Sequence, residues 1–194
     1  MLLNLSAPAG RLFVGNALFV ICCVFYLAWW VTSFRPVNPV TGIKSGWLLL
    51  PAAIAGLAGV VGIVWGTSTA APEKALFPGG YVIVGGIVAF VLLVILTQWL
   101  FDRQVTSELL LITLWAALAV AEANALCGLE LFSRGATLFV LVAIGVVFVA
   151  SLVCYVLFYR LDPWPAYWDG MVPLVLSGLV MAGLAVAIAV QPGS

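Results

Sequence analysis

Leu111–Gly128 reads LITLWAALAVAEANALCG. Apart from Glu122 and Asn124, this is the composition of a membrane span. A helix rises 1.5 Å per residue, so about 20 apolar residues cross the ~30 Å hydrocarbon core of a bilayer. A carboxylate inside such a run costs about 2.5 kcal/mol or more on insertion scales, so it normally faces protein or a water-filled cavity. The chain has seven Lys/Arg and seven Asp/Glu residues, and of these only Glu122 lies well inside a hydrophobic run.

The rest of the chain has the same character. Its 194 residues are 65% hydrophobic and 7% charged, against about 25% charged in soluble domains. Further apolar runs cover residues 12–34, 46–66, 80–101, 136–159 and 171–190, with 107–127 taking in all of the stretch above but its final glycine. Spanning barrels alternate apolar and polar residues along each strand, and these runs do not. The sequence therefore predicts an all-α, polytopic membrane helix bundle of six transmembrane helices with short loops, organised as one transmembrane domain over 1–194. The run from Leu12 to Phe34 is too long for a signal-peptide core and lacks a small-residue cleavage site, so it reads as the first span.

The connections carry helix-breaking residues. Arg35-Pro36-Val37-Asn38-Pro39 ends the first span, and the second loop, Thr67–Gly79, holds Pro72 and Pro78 with Glu73 and Lys74. Asp102-Arg103 makes a turn, Thr106 or Ser107 can cap the fourth helix, and Glu108 suits its first turn. Arg160-Leu161-Asp162-Pro163-Trp164-Pro165 reads as a rigid aromatic loop, with Asp162 and Asp169 solvated. Seven tryptophans (Trp29, Trp30, Trp47, Trp65, Trp99, Trp164 and Trp168) fall near span ends, where amphipathic rings sit at headgroup level. Trp115 does not. Loops one, three and five carry Arg35, Lys44, Arg103 and Arg160, against Arg11, Lys74 and Arg134 on the other side. That balance places both termini outside the cytoplasm of a bacterial inner membrane.

Composition also excludes function classes. Net charge is zero and histidine is absent, which removes a basic face for nucleic acid and the commonest metal ligand and general base. Cys22, Cys23, Cys127 and Cys154 lie in or beside apolar runs with no CxxC or metal spacing, and read as small hydrophobes. There is no GxSxG, HExxH or P-loop, and no acid pair on one apolar face. No catalytic residue, metal or cofactor is expected.

Residues seven apart share a helix face. Trp115 and Glu122 have that spacing, with Leu111, Leu118 and Ala119 along or beside the stripe. Ala117, Ala121 and Asn124 form a small, weakly polar surface opposite. This alanine-rich helix is expected to be central, because small residues let helices approach closely. Asn16, Cys23 and Trp30 repeat the spacing in the first helix. Ser151 and Tyr155 share a face with Phe158 in the fifth, and Gln98 lies near the end of the third. Asn16, Glu122, Asn124, Ser151 and Tyr155, with Trp115, are the candidate substrate- or pore-lining residues of a narrow polar lane. In the second helix Ala58, Gly62 and Gly66, and likewise Ala55 and Gly59, form small-residue packing faces for use within the bundle or between protomers.

Leu12-Phe13-Val14-Gly15-Asn16-Ala17-Leu18-Phe19-Val20 and Arg160-Leu161-Asp162-Pro163-Trp164 resemble segments of the bacterial six-helix urea and amide channels. The resemblance implies a six-span layout with both termini outside and passage of a small neutral solute. This chain departs from that family in having no histidine, and in carrying its in-membrane acid in the fourth helix and not the sixth, so no family pore residue transfers to it. The expected function is a channel or transporter for a small neutral or weakly polar solute. The alternative is a non-catalytic substrate-capture or structural subunit of a larger membrane complex. Expected partners are the lipid bilayer, the solute, and either copies of the chain or other membrane subunits.

Overall fold

The computed structural model describes residues 6–37, 39, 46–69, 74–101 and 107–190. Seven helices form among them: α1 Ala7–Ser33, α2 Leu49–Ser68, α3 Gly79–Phe101, α4 Ser107–Gly128, α5 Arg134–Leu157, α6 Pro163–Asp169 and α7 Val172–Val190. No strand is present among the described residues. Six helical stretches are long and apolar enough to cross a membrane, the last of them running through α6 and α7. The fold is an all-α membrane helix bundle, as expected. The turn at Asp102-Arg103, the Thr106 cap, and Asn38, Lys44, Pro72 and Glu73 lie outside the described residues.

Helix boundaries differ from the sequence reading where proline chemistry intervenes. α1 starts at Ala7, with proline in its first turn, where a missing N–H has no intrahelical partner to lose. The same logic starts α2 at Leu49, which puts Pro51 in the first turn and leaves Trp47 before it, 67% exposed. The segment read as a rigid loop through Pro165 is helical from Pro163 onward. Pro163 and Pro165 sit where prolines suit a helix start, and the Asp162 carbonyl accepts from Ala166 N at 2.9 Å. Asp162 is exposed, but Asp169 is only partly so and its Oδ2 is buried. The solvated reading holds for the first aspartate only.

The chain divides into two compact units, one of Met1–Ala70 with Leu157–Ser194 and the other of Ala71–Val156. In the first, α1 packs against both α2 and α7. A Cβ on Gly66 would meet the Leu12 side chain, one on Gly62 would meet Gly15 Cα at 3.1 Å, and one on Gly59 would meet Phe19 N at 3.1 Å. Partner numbers fall in α1 as they rise in α2, so the two helices run antiparallel with backbones in contact. Gly59, Gly62 and Gly66 of the small-residue face of α2 are thus filled from within the chain, whereas Ala58 is exposed. α7 runs antiparallel to α1 on the same pattern, with Gly178 against Cys23 and, just before the helix starts, Gly170 against Trp30. Arg11 closes one end of the α1–α2 pair, its guanidinium 4.3 Å from the Trp65 ring centroid and its Nη1 3.4 Å from Thr69 Oγ1. The opposite end of α1 is aromatic. There Trp30 stacks on Phe34 at 4.3 Å, meets Phe158 edge-on, and donates its indole N–H to the Tyr167 carbonyl at 3.1 Å.

In the second unit α3 packs on α4, with Ala117 Cβ 3.3 Å from where a Cβ on Gly86 would lie. α4 is the most buried of the six spans, at 56% of its apolar window, where none of the others exceeds 28%. α4 ends in a turn in which Leu129 N bonds Ala125 O and Phe132 N bonds Leu126 O. Glu130 there has φ 60°, a left-handed conformation that costs a non-glycine residue roughly 1 kcal/mol.

Candidate functional site

α4 carries the candidate site. Glu122 is wholly buried and Trp115 is 7% exposed. Leu118, Ala119 and Leu126 complete a buried stripe at helical spacing around them. Leu111 does not belong to it. It is 57% exposed, with Leu110 and Leu114 at 49% and 51%, while the buried residues of α4 before Trp115 are Leu109 and Thr113. Glu108 occupies the first turn, where a carboxylate complements the positive end of the helix. Ser107 is the first helical residue. The Trp115 Nε1 is inaccessible and has no hydrogen-bond acceptor among the described residues.

Asn124 is buried but turned to a different task. Its Oδ1 accepts from the backbone N–H groups of Leu76 and Phe77 at 2.9 and 3.3 Å, and its Nδ2 donates to the Phe77 carbonyl at 2.9 Å. Cys127 Sγ lies 3.8 Å from the Lys74 carbonyl, and Lys74 Nζ pairs with Glu130 Oε1 at 2.6 Å. Lys74–Pro78 is therefore a strap tied along the end of α4. The amide expected to offer hydrogen bonds to a solute is engaged by loop backbone, which has few other partners because it is not helical.

The remaining candidates, Asn16, Ser151 and Tyr155, are buried, and the first two donate to their own helices. Asn16 Nδ2 donates to Leu12 O at 2.8 Å and Ser151 Oγ to Val147 O at 2.8 Å. Such back-bonding is the usual fate of short polar side chains in apolar helices. Ser151 and Tyr155 do share the buried stripe of α5, with Thr137, Ile144 and Val147. Phe158 lies past the end of α5, and its ring meets Trp30 and Tyr159. Gln98 is exposed. Asn16 belongs to the first unit and the other five candidates to the second. Among the described residues no group of three or more His, Cys, Asp or Glu side chains could hold a metal.

Sequence reasoning missed the strap and the Trp30–Tyr167 bond. Both join a side chain to backbone carbonyls or N–H groups far away in the chain, which leave no pattern in a sequence. An asparagine near the end of a span, facing a short loop that closes on proline and glycines, was the available signal for the strap.

No protein-family model matches this chain, and no curated protein or solved structure matches it either. The likeness to urea and amide channels rests on its two short segments alone.

Proposed function

We propose that this multi-pass membrane protein is a channel or transporter for a small neutral or weakly polar solute, with Glu122 and Trp115 of α4 on the solute path. The observation that carries this reading is a wholly buried carboxyl on one stripe with a buried tryptophan, in the most buried of the six spans. An acid in that position is costly unless it serves a path or a partner. Glu122 would orient the solute or exchange a proton, and Trp115 would shape the lumen. Ser151 and Tyr155, of the same unit, would add groups that replace hydration without trapping the solute. On this reading both units form one membrane domain, set in a bacterial inner membrane with its termini outside the cytoplasm. Uptake by proteoliposomes over a broad panel of neutral solutes tests it, with Trp115→Ala as the path variant. Rates equal to those of empty liposomes for every solute would sink the proposal.

One observation favours a second reading, that of a non-catalytic capture or structural subunit. Only 6% of the α3 window is buried, and Gly79, Gly80 and Gly85 have open space where a Cβ would be. Lipid or another subunit would then cover α3. Purification in mild detergent separates the two, because a stoichiometric partner of different sequence supports the subunit and a self-contained particle opposes it.

A further inference from the structure

Trp30, part-buried, and Trp115, buried, differ in one respect. Trp30 donates its N–H to the Tyr167 carbonyl at 3.1 Å, whereas Trp115, 7% exposed, has no acceptor for its Nε1 among the described residues. Buried indole N–H groups ordinarily find a partner, and a donor left unmade loses the full desolvation term. Nearby hydroxyls show the usual solution, since Thr113 Oγ1 bonds Leu109 O at 2.8 Å. An indole has no comparable route to its own helix carbonyls.

We propose that the Trp115 indole N–H is a recognition donor for the acceptor oxygen of a small uncharged solute, of the carbonyl or sulfoxide class. The ligand class rests on the solute-path reading above; the donor chemistry does not. Indole nitrogen donates and never accepts, so the ligand must present an acceptor. The only charged residues of α4 are Glu108 and Glu122, which disfavours an anion and leaves a neutral acceptor. Trp115 and Glu122 lie seven residues apart, or about 10.5 Å along the axis at 1.5 Å per residue. They therefore form successive levels of one stripe. The upper level selects an acceptor oxygen, and the lower presents a carboxyl to whatever hydrogens the solute carries.

The test uses the full-length protein in nanodiscs with ¹⁵N-labelled tryptophan, and formamide and dimethyl sulfoxide as probes. Trp115→Phe keeps an aromatic ring, removes the donor and identifies the Trp115 indole resonance by its loss. The expected result is a saturable downfield displacement of that resonance, with the seven other indoles of the eight in the chain as internal controls. In proteoliposomes, Trp115→Phe should lower uptake of the same probes by roughly 3- to 10-fold, the effect of one lost hydrogen bond. A resonance that moves no more than the other seven overturns the proposal, as does one that reports contact with water regardless of probe. Displacement without uptake above empty liposomes keeps the binding position and sinks the transport reading. Uptake without displacement does the reverse.

Discussion

Asn124 holds Phe77 by both ends of its backbone unit, accepting from its N–H at 3.3 Å and donating to its carbonyl at 2.9 Å. This one side chain fastens the strap to the most buried helix. Replacing Asn124 by Ala would leave these groups, and the Leu76 N–H, without a protein partner. The expected cost is about 1–3 kcal/mol, seen as a lower unfolding temperature in detergent. Asn124→Asp keeps the acceptor and loses the donor, so it should fall between the two.

The ion pair beside it should matter far less. Lys74 and Glu130 side chains are 62% and 68% exposed, and exposed pairs contribute about 0–1 kcal/mol. Lys74→Ala should leave the unfolding temperature nearly unchanged. A drop as large as that of Asn124→Ala would mean that the strap is held by charge and not by the buried amide.

Cys127 reports on the strap directly, because its Sγ lies 3.8 Å from the Lys74 carbonyl and the residue is buried. In a chain whose other cysteines are replaced by serine or alanine, a maleimide should label Cys127 slowly in native membranes. Adding Asn124→Ala should accelerate labelling several-fold. Equal rates in the two backgrounds would show that the strap does not shield the thiol.

The α1–α2 contact predicts a sharp contrast between glycines. A Cβ on Gly15 would lie 2.7 Å from Ile63 Cγ1 and 2.9 Å from Ile63 N, whereas one on Gly85 would meet nothing within 4 Å. Gly15→Ala should destabilise the protein by about 1–3 kcal/mol through overpacking. Gly85→Ala should be neutral or slightly stabilising, since alanine is the better helix former. Thermal unfolding followed by size-exclusion chromatography reads both.

The six spans were legible because each depends on a property that sequence displays, a long apolar run bounded by proline, glycine or charge. The glycine face of α2 was legible for the same reason, although its spacing could not say that α1 fills it. Glu122 and Trp115 were visible as a pair because seven-residue spacing puts them on one face. Other parts depended on geometry with no period. Leu111 has the register of the buried stripe but is exposed, because the residues buried in α4 before Trp115 are Leu109 and Thr113, on another face. Helical phase alone does not say which face is covered at each level. Asn124 looked like a solute ligand because its carbonyl and N–H partners lie 47 and 48 residues away, in a loop. Pro163 was read as a breaker, whereas at the first turn of a helix it is a starter.

The most direct test of the account is the effect of Glu122→Gln on transport set against its effect on stability. Glutamine keeps the size and most of the hydrogen bonding of the carboxyl and removes its charge and proton exchange. A path through Glu122 predicts that uptake of the transported neutral solute falls about tenfold, equivalent to ~1.4 kcal/mol of lost stabilisation, with an unchanged unfolding temperature. Undiminished uptake with a shifted unfolding temperature would contradict it and make Glu122 a lock between helices.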